Sequence, residues 1–203
     1  MQINIDRKTG SLLAIIAVLL AVVFAISFNR DGDTDHVGIG GNFMGMHNDS
    51  SAAKFAGADV MFLQLMIPHH QQAIDISSLA LKTSKDPELL ALAKTIIKAQ
   101  SSEIIQMNAW LKDAKADTGM GHSPSRMGGA LDANELSTLT SATGKTFDLL
   151  WLKGMTNHHD GAIHMTSMIN DAQNADIRRF GENVVKDQSV QIEQMKAMLK
   201  RLS

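Results

Sequence analysis

The 203-residue chain has no cysteine, no tyrosine, three prolines and only 4% aromatic residues. Without thiols there can be no disulfide, thiolate zinc site, iron–sulfur cluster or cysteine nucleophile. Charge of one sign is also missing: 19 Lys and Arg stand against 21 Asp and Glu, a net charge of -2. Such a chain has no basic field with which to neutralise phosphates, and nucleic acid is excluded as a partner. Serine-histidine-acid patterns, phosphate-binding glycine loops and dinucleotide fingerprints are absent too, as are the alternation and Asn-Gly signals of a sheet. Against these gaps stand 13 methionines and eight histidines. Thioether and imidazole donors are abundant, a combination that suits soft metal ions.

Residues 12–28 carry no charge. With Gly10 and Ser11 they form an apolar window of about 28 Å as a helix, enough to cross a bilayer. Arg7 and Lys8 precede the window, so the positive-inside rule leaves the short N-terminus in the cytoplasm and sends everything after Arg30 across the membrane. The competing reading is a cleaved signal peptide, but Ala25-Ile26-Ser27 is a poor cleavage site and the run is long for a signal. Both readings export the rest. The expectation is a single-pass anchor at 1–30 in the cytoplasmic (inner) membrane, a flexible Gly/Met/His linker at 31–51 and an extracytoplasmic, periplasmic domain at 52–203.

That domain contains an internal repeat. Met66-Ile-Pro-His-His-Gln-Gln-Ala-Ile74 returns as Met155-Thr-Asn-His-His-Asp-Gly-Ala-Ile163, and Gln100-Ser-Ser-Glu-Ile-Ile-Gln-Met107 returns as Gln188-Ser-Val-Gln-Ile-Glu-Gln-Met195. Each unit reads as a helical hairpin. Asp86-Pro87-Glu88 and Asn174 with Asp176 are helix starts, and Asp132 with Glu135 is a capping-box pattern for a short helix before Gly144. The main helices are predicted at about 52–83, 87–113, 145–171 and 175–201, with a kink at Pro68. The fold class is therefore all-α: a four-helix bundle of two repeated hairpins, preceded by one transmembrane helix. A long loop at 112–131 joins the hairpins.

On a helical wheel Asp59, Leu63, Met66, His70, Ala73 and Ser77 share a stripe with His69 at its edge, and the second copy repeats it with Asp148, Leu152, Met155, His159, Ala162 and Thr166. Met165 falls beside His158, while His164 faces the other way and reads as solvated. In the partner helices Gln100, Ile104 and Met107 share a face, as do Gln188, Ile192 and Met195. Trp110 and Trp151 read as packing residues. A buried imidazole needs a partner, and hydrogen bonding to Gln or Asp is the plain solution for a single histidine. Four histidines in matching pairs, each with a methionine three and four residues earlier, favour a metal instead. The flexible segments add Met44, Met46 and His47, and Met120, His122 and Met127, which have no core to fill. Softness points to Cu(I) ahead of Cu(II), the latter through imidazole with Asp59 or Asp148; zinc is a weaker fit because it would not need the methionines. A di-iron site would need Glu-x-x-His, which does not occur in this chain.

The doubled Met-x-x-His-His blocks and the Gln-x-x-(Glu/Gln)-Ile-x-x-Met segments that follow them resemble the three-hundred-and-fifth domain-of-unknown-function (DUF) family over about 53–202. The resemblance implies an exported or membrane-anchored bacterial protein with a ferritin-like fold, in a family that includes CopM-type copper-binding proteins. It assigns candidate ligand roles to Met66, His69, His70, Met155, His158, His159 and Met165. The chain departs from the family pattern at Ile76, in place of Met, and at Gln191, in place of Glu. The first departure implies a weaker or incomplete ligand set in the N-terminal hairpin. Together these readings predict a non-enzymatic copper-binding protein that buffers copper or passes it to a delivery partner. The rival is a structural helical module in which the histidines merely tie helices together.

Overall fold

A computed structural model describes residues 55–117 and 128–203. The predicted anchor and linker, and with them Met44, Met46 and His47, lie outside the described residues, as do Met120, His122 and Met127. Among the described residues there is no strand, and no helix is long and apolar enough to cross a membrane.

The elements are α1 (Gly57–Thr83), α2 (Pro87–Asp113), the short α3 (Ala133–Ser141), α4 (Gly144–Met165) and α5 (Ala175–Leu202). Their starts are set by local chemistry. Asp86 accepts hydrogen bonds from the backbone N–H groups of Glu88 and Leu89 at 3.1 and 3.0 Å, with Pro87 in the first turn, where its missing donor costs nothing. Asp132 and Glu135 form the reciprocal capping box on α3. Asn174 caps α5 through the Asp176 N–H at 2.9 Å.

Two boundaries differ from expectation. The third long helix was predicted to reach 171, but α4 ends at Met165 and the chain tightens into a 3-10 turn (Thr166–Ile169). Thr166 contributes by donating its hydroxyl to the Ile163 carbonyl, a short back-bond that competes with regular helix. The first helix begins at Gly57, with Asp59 accepting from the Ala56 N–H at 2.9 Å. It runs on through Pro68.

The long helices pair as α1 with α2 and α4 with α5, and α1 packs on α4. Trp151 of α4 is fully buried and donates its indole N–H to the Ile76 carbonyl of α1 at 3.1 Å, tying the hairpins together. Trp110 packs edge-on against Phe180. Both tryptophans are packing residues, as predicted.

The apolar interior is two clusters, and each long helix passes from one to the other near its middle. One cluster holds Met66 and Phe62 of α1, Met107 and Leu111 of α2, Ala162 and Met165 of α4, and Ile177 and Val184 of α5. The other holds Ala73 and Ile76, Leu92 and Ile96, Trp151 and Met155, and Ile192 and Met195 from the same four helices. Between them lies a polar band: His69 and His70, Gln100 and Glu103, His158 and His159, Gln188 and Gln191. A large apolar side chain fully buried at such a position would contribute roughly 1.5–3 kcal/mol. The band forgoes that stabilisation on all four helices at one level.

Candidate metal centre

All four histidines of the repeat have no exposed surface. His69 of α1 and His158 of α4 stack across the hairpin interface, ring centroids 3.7 Å apart at 36°. His70 and His159 flank that pair, 6.5 and 6.3 Å from their chain neighbours. The geometry follows from antiparallel packing of two copies of one helix, which brings equivalent positions together at the centre.

Each outer histidine reaches across its own hairpin. His70 Nε2 lies 2.7 Å from a Glu103 carboxylate oxygen, and His159 Nε2 lies 2.6 Å from the Gln191 amide oxygen. His69 Nε2 meets the Gly128 carbonyl at 3.2 Å. Each partner is an oxygen acceptor, so in the neutral ring the proton lies on Nε2 and Nδ1 is the unprotonated nitrogen. None of the three Nδ1 atoms has a hydrogen-bond partner, and neither ring nitrogen of His158 has one, although the His69 backbone approaches it. Ligating histidines carry the same pattern, one nitrogen held by an oxygen and the other presented to the metal.

Burial keeps His69, His158 and His159 neutral. Desolvation, reinforced by the neighbouring His70, holds His69 down at about 3. His159 is held at about 4 by desolvation, partly opposed by its bond to Gln191. Desolvation and the adjacent His69 keep His158 well below the ordinary histidine range. At neutral pH protons therefore do not compete for these three rings.

The Gly128 carbonyl is delivered by a strap, residues 128–131, that lies against α4. A Cβ on Gly161 would sit 1.8 Å from the Gly128 oxygen, and one on Gly129, whose φ is +77°, would sit 2.1 Å from the Asn157 oxygen. Only glycine permits either approach. The far end is held by Gln72 of α1, which accepts from the Leu131 N–H at 2.8 Å and donates to the Leu131 carbonyl at 2.9 Å.

Of the predicted ligands, the structure brings His69 and His158 into ring contact with His70 and His159 beside them. Met66 and Met155 are fully buried one turn before their histidines, on opposite sides of the band. Met165 is two turns beyond His158, about 10 Å along the helix, rather than beside it; it packs in the cluster that holds Met66. Asp59 and Asp148 begin their helices about 15 Å from the histidines, and Asp59 is engaged by the Ala56 N–H, so neither joins the imidazoles. His164 is exposed, as predicted. Among the described residues no three His, Asp or Glu side chains surround a common point. A metal held here would need donors besides these side chains.

Sequence reasoning missed Glu103, Gln72, Gly161 and the Gly128 carbonyl. Glu103 was recoverable, because aligning the Gln-x-x-Glu and Gln-x-x-Gln repeats places it opposite Gln191. The strap had no comparable signal beyond its glycines.

The family model described as "Domain of unknown function (DUF305)" matches residues 59–199. A DUF305 fragment from Deinococcus radiodurans is 30% identical, with a TM-score of 0.68 over 72% of this chain and 98% of that one. CopM in its Cu(I)-bound form is 30% identical, with a TM-score of 0.61 over 70% of this chain and 96% of that one. CopM has also been solved in a Cu(II)-bound form, likewise 30% identical, with a TM-score of 0.60 over 71% of this chain and 97% of that one. An uncharacterized protein of Acanthamoeba polyphaga mimivirus is 42% identical over 57 residues, 28% of this chain and 38% of that protein. The chain thus spans well under half of that relative's length.

Proposed function

Since the chain belongs to the DUF305 family, we propose that it is a copper-binding protein of the cell envelope that buffers or hands on copper and catalyses no reaction. Its ligands are thioethers and imidazoles, Met66, His69, His70, Met155, His158, His159 and Met165, and its preferred cargo is Cu(I). Residues 12–28 anchor it in the cytoplasmic membrane with the bundle on the extracytoplasmic side, and the Met/His pairs of 44–47 and 120–127 capture the ion first.

The observation that carries this reading is the set of buried Nδ1 lone pairs without partners, in a band flanked on both sides by methionine. An unsatisfied buried polar atom costs about 1–3 kcal/mol. A purely structural module accounts for the Nε2 bonds that cross each hairpin, but not for nitrogens left bare on every ring. The copper-bound CopM relatives lend the reading further support.

A ligand bound only to the folded state must raise the melting temperature. The full-length protein should therefore melt higher with Cu(I) than without, and competition against a chromogenic chelator should give a dissociation constant that weakens when His69, His70, His158 and His159 are all replaced by Ala. A melting temperature indifferent to copper, or an affinity unchanged in the fourfold variant, rejects the bundle site.

A further inference from the structure

The residues on either side of the histidine band relate the two hairpins to each other. From the His70–Glu103 bond, four residues back on α1 and four forward on α2 reach Met66 and Met107; three in the opposite senses reach Ala73 and Gln100. From the His159–Gln191 bond the same steps reach Met155 and Met195 in one direction and Ala162 and Gln188 in the other. Packing then crosses the two sets. Ala162 of the second hairpin belongs to the cluster of Met66 and Met107, and Ala73 of the first belongs to the cluster of Met155 and Met195.

Each side of the band is thus a layer with two thioethers from one hairpin and an alanine facing a glutamine from the other. Gln100 and Gln188 are 2% and 3% exposed, and neither end of either amide has a hydrogen-bond partner. A buried amide with both ends unmet is costly, and two at equivalent positions are not an accident of packing. Paired thioethers match the softness of Cu(I), and a glutamine oxygen is a known weak axial donor to copper.

The geometry points to two copper sites, one on each side of the histidine band, each built across the hairpins: Met66 and Met107 with Gln188, and Met155 and Met195 with Gln100. This rests on the copper reading above and adds Met107, Met195, Gln100 and Gln188 to it. Each ion would join one hairpin's sulfurs to the other's amide, so loading would clamp the hairpins together.

The test is Cu(I) uptake by the full-length chain under reducing, oxygen-free conditions, read against a chromogenic chelator. Met→Leu conserves volume and should leave the helical circular dichroism intact. Replacing Met66 and Met107 by Leu should remove one equivalent, replacing Met155 and Met195 should remove another, and the fourfold variant should lose both. If either pair alone removes everything the fourfold variant removes, or if neither changes the count, the paired sites are wrong. Gln188→Leu should weaken the remaining site about tenfold when made with the Met155 and Met195 replacements, and leave affinity unchanged when made with the Met66 and Met107 replacements. The reverse pattern overturns the cross-hairpin assignment. Anomalous scattering from copper-loaded crystals needs no variant: two peaks, one on each side of the band, are expected, and a single peak among the histidine rings overturns the proposal. A wild-type chain that takes up no copper at all removes the functional reading itself, whereas uptake with unaltered counts removes only the paired sites.

Discussion

In the first hairpin the outer histidine is held by a carboxylate, and in the second by an amide: His70 with Glu103 at 2.7 Å, His159 with Gln191 at 2.6 Å. The acceptor atom and reach are nearly the same, but only Glu103 brings a charge. Its effect extends to the far helix, where burial and the Glu103 charge together push the Asp187 carboxyl up. A second asymmetry lies at the equivalent positions Gln72 and Gly161. Gln72 grips the Leu131 backbone, while Gly161 has no side chain so that the Gly128 backbone can rest on the helix. One strap cannot obey a twofold relation, so the two helices beneath it must differ where it crosses. The repeat supplies the buried histidine pair twice; the strap that crosses it is one place where the copies differ.

The largest effect should come from erasing that divergence. Gly161→Ala forces a Cβ into the Gly128 oxygen and displaces the strap, with an expected loss of about 3 kcal/mol or more. Urea denaturation would measure it, and a loss below about 1 kcal/mol would mean that the strap yields without consequence. Acid should come next. His69 and His159 fall from 6.5 in the unfolded chain to about 3 and about 4 in the fold. The unfolded state therefore binds protons first, and stability present above pH 6.5 is lost as pH falls toward those values. Each ring contributes about 1.5 kcal/mol of loss between pH 6.5 and 5. Metal-free denaturation midpoints at pH 7 and pH 5 check this, and equal midpoints would contradict it.

Gln72→Ala leaves the buried Leu131 N–H and carbonyl unmet and should cost about 1–2 kcal/mol, less than the glycine change because nothing collides. The smallest effects belong to exchanging Glu103 and Gln191. Glu103→Gln should change stability by under about 1 kcal/mol yet lower the Asp187 titration toward the ordinary range, since one of its two upward causes is gone. Gln191→Glu should raise His159 above about 4 by placing an anion on its Nε2. NMR titration reads both, and an unmoved His159 would show that burial alone sets it.

Ile76 and Met165, equivalent in the repeat, fall in different core clusters. The departure at Ile76 implied a ligand-poor first hairpin, but Met165, its equivalent, packs with Met66 and Met107, so the missing thioether is missing from the other cluster. That cluster holds Met198 beside Met155 and Met195 instead, which leaves three buried methionines on each side. Membership of a repeat is a property of the chain; membership of a core depends on how helices cross.

Helix positions, the hairpin repeat and the inward face of His69, His70, His158 and His159 were legible because they depend on neighbours within a few turns, through caps, proline placement and 3.6-residue periodicity. What the histidines touch was not. The stacking of His69 on His158, the Gly128 carbonyl on His69, the distance of Asp59 and Asp148 from the imidazoles, and the crossing of methionines with the other hairpin's glutamines all depend on the depth at which antiparallel helices meet and on one loop returning over them. Periodicity settles the direction of a side chain around its helix axis but carries no information about the level at which another helix will face it, and that level is set by packing of the whole interior.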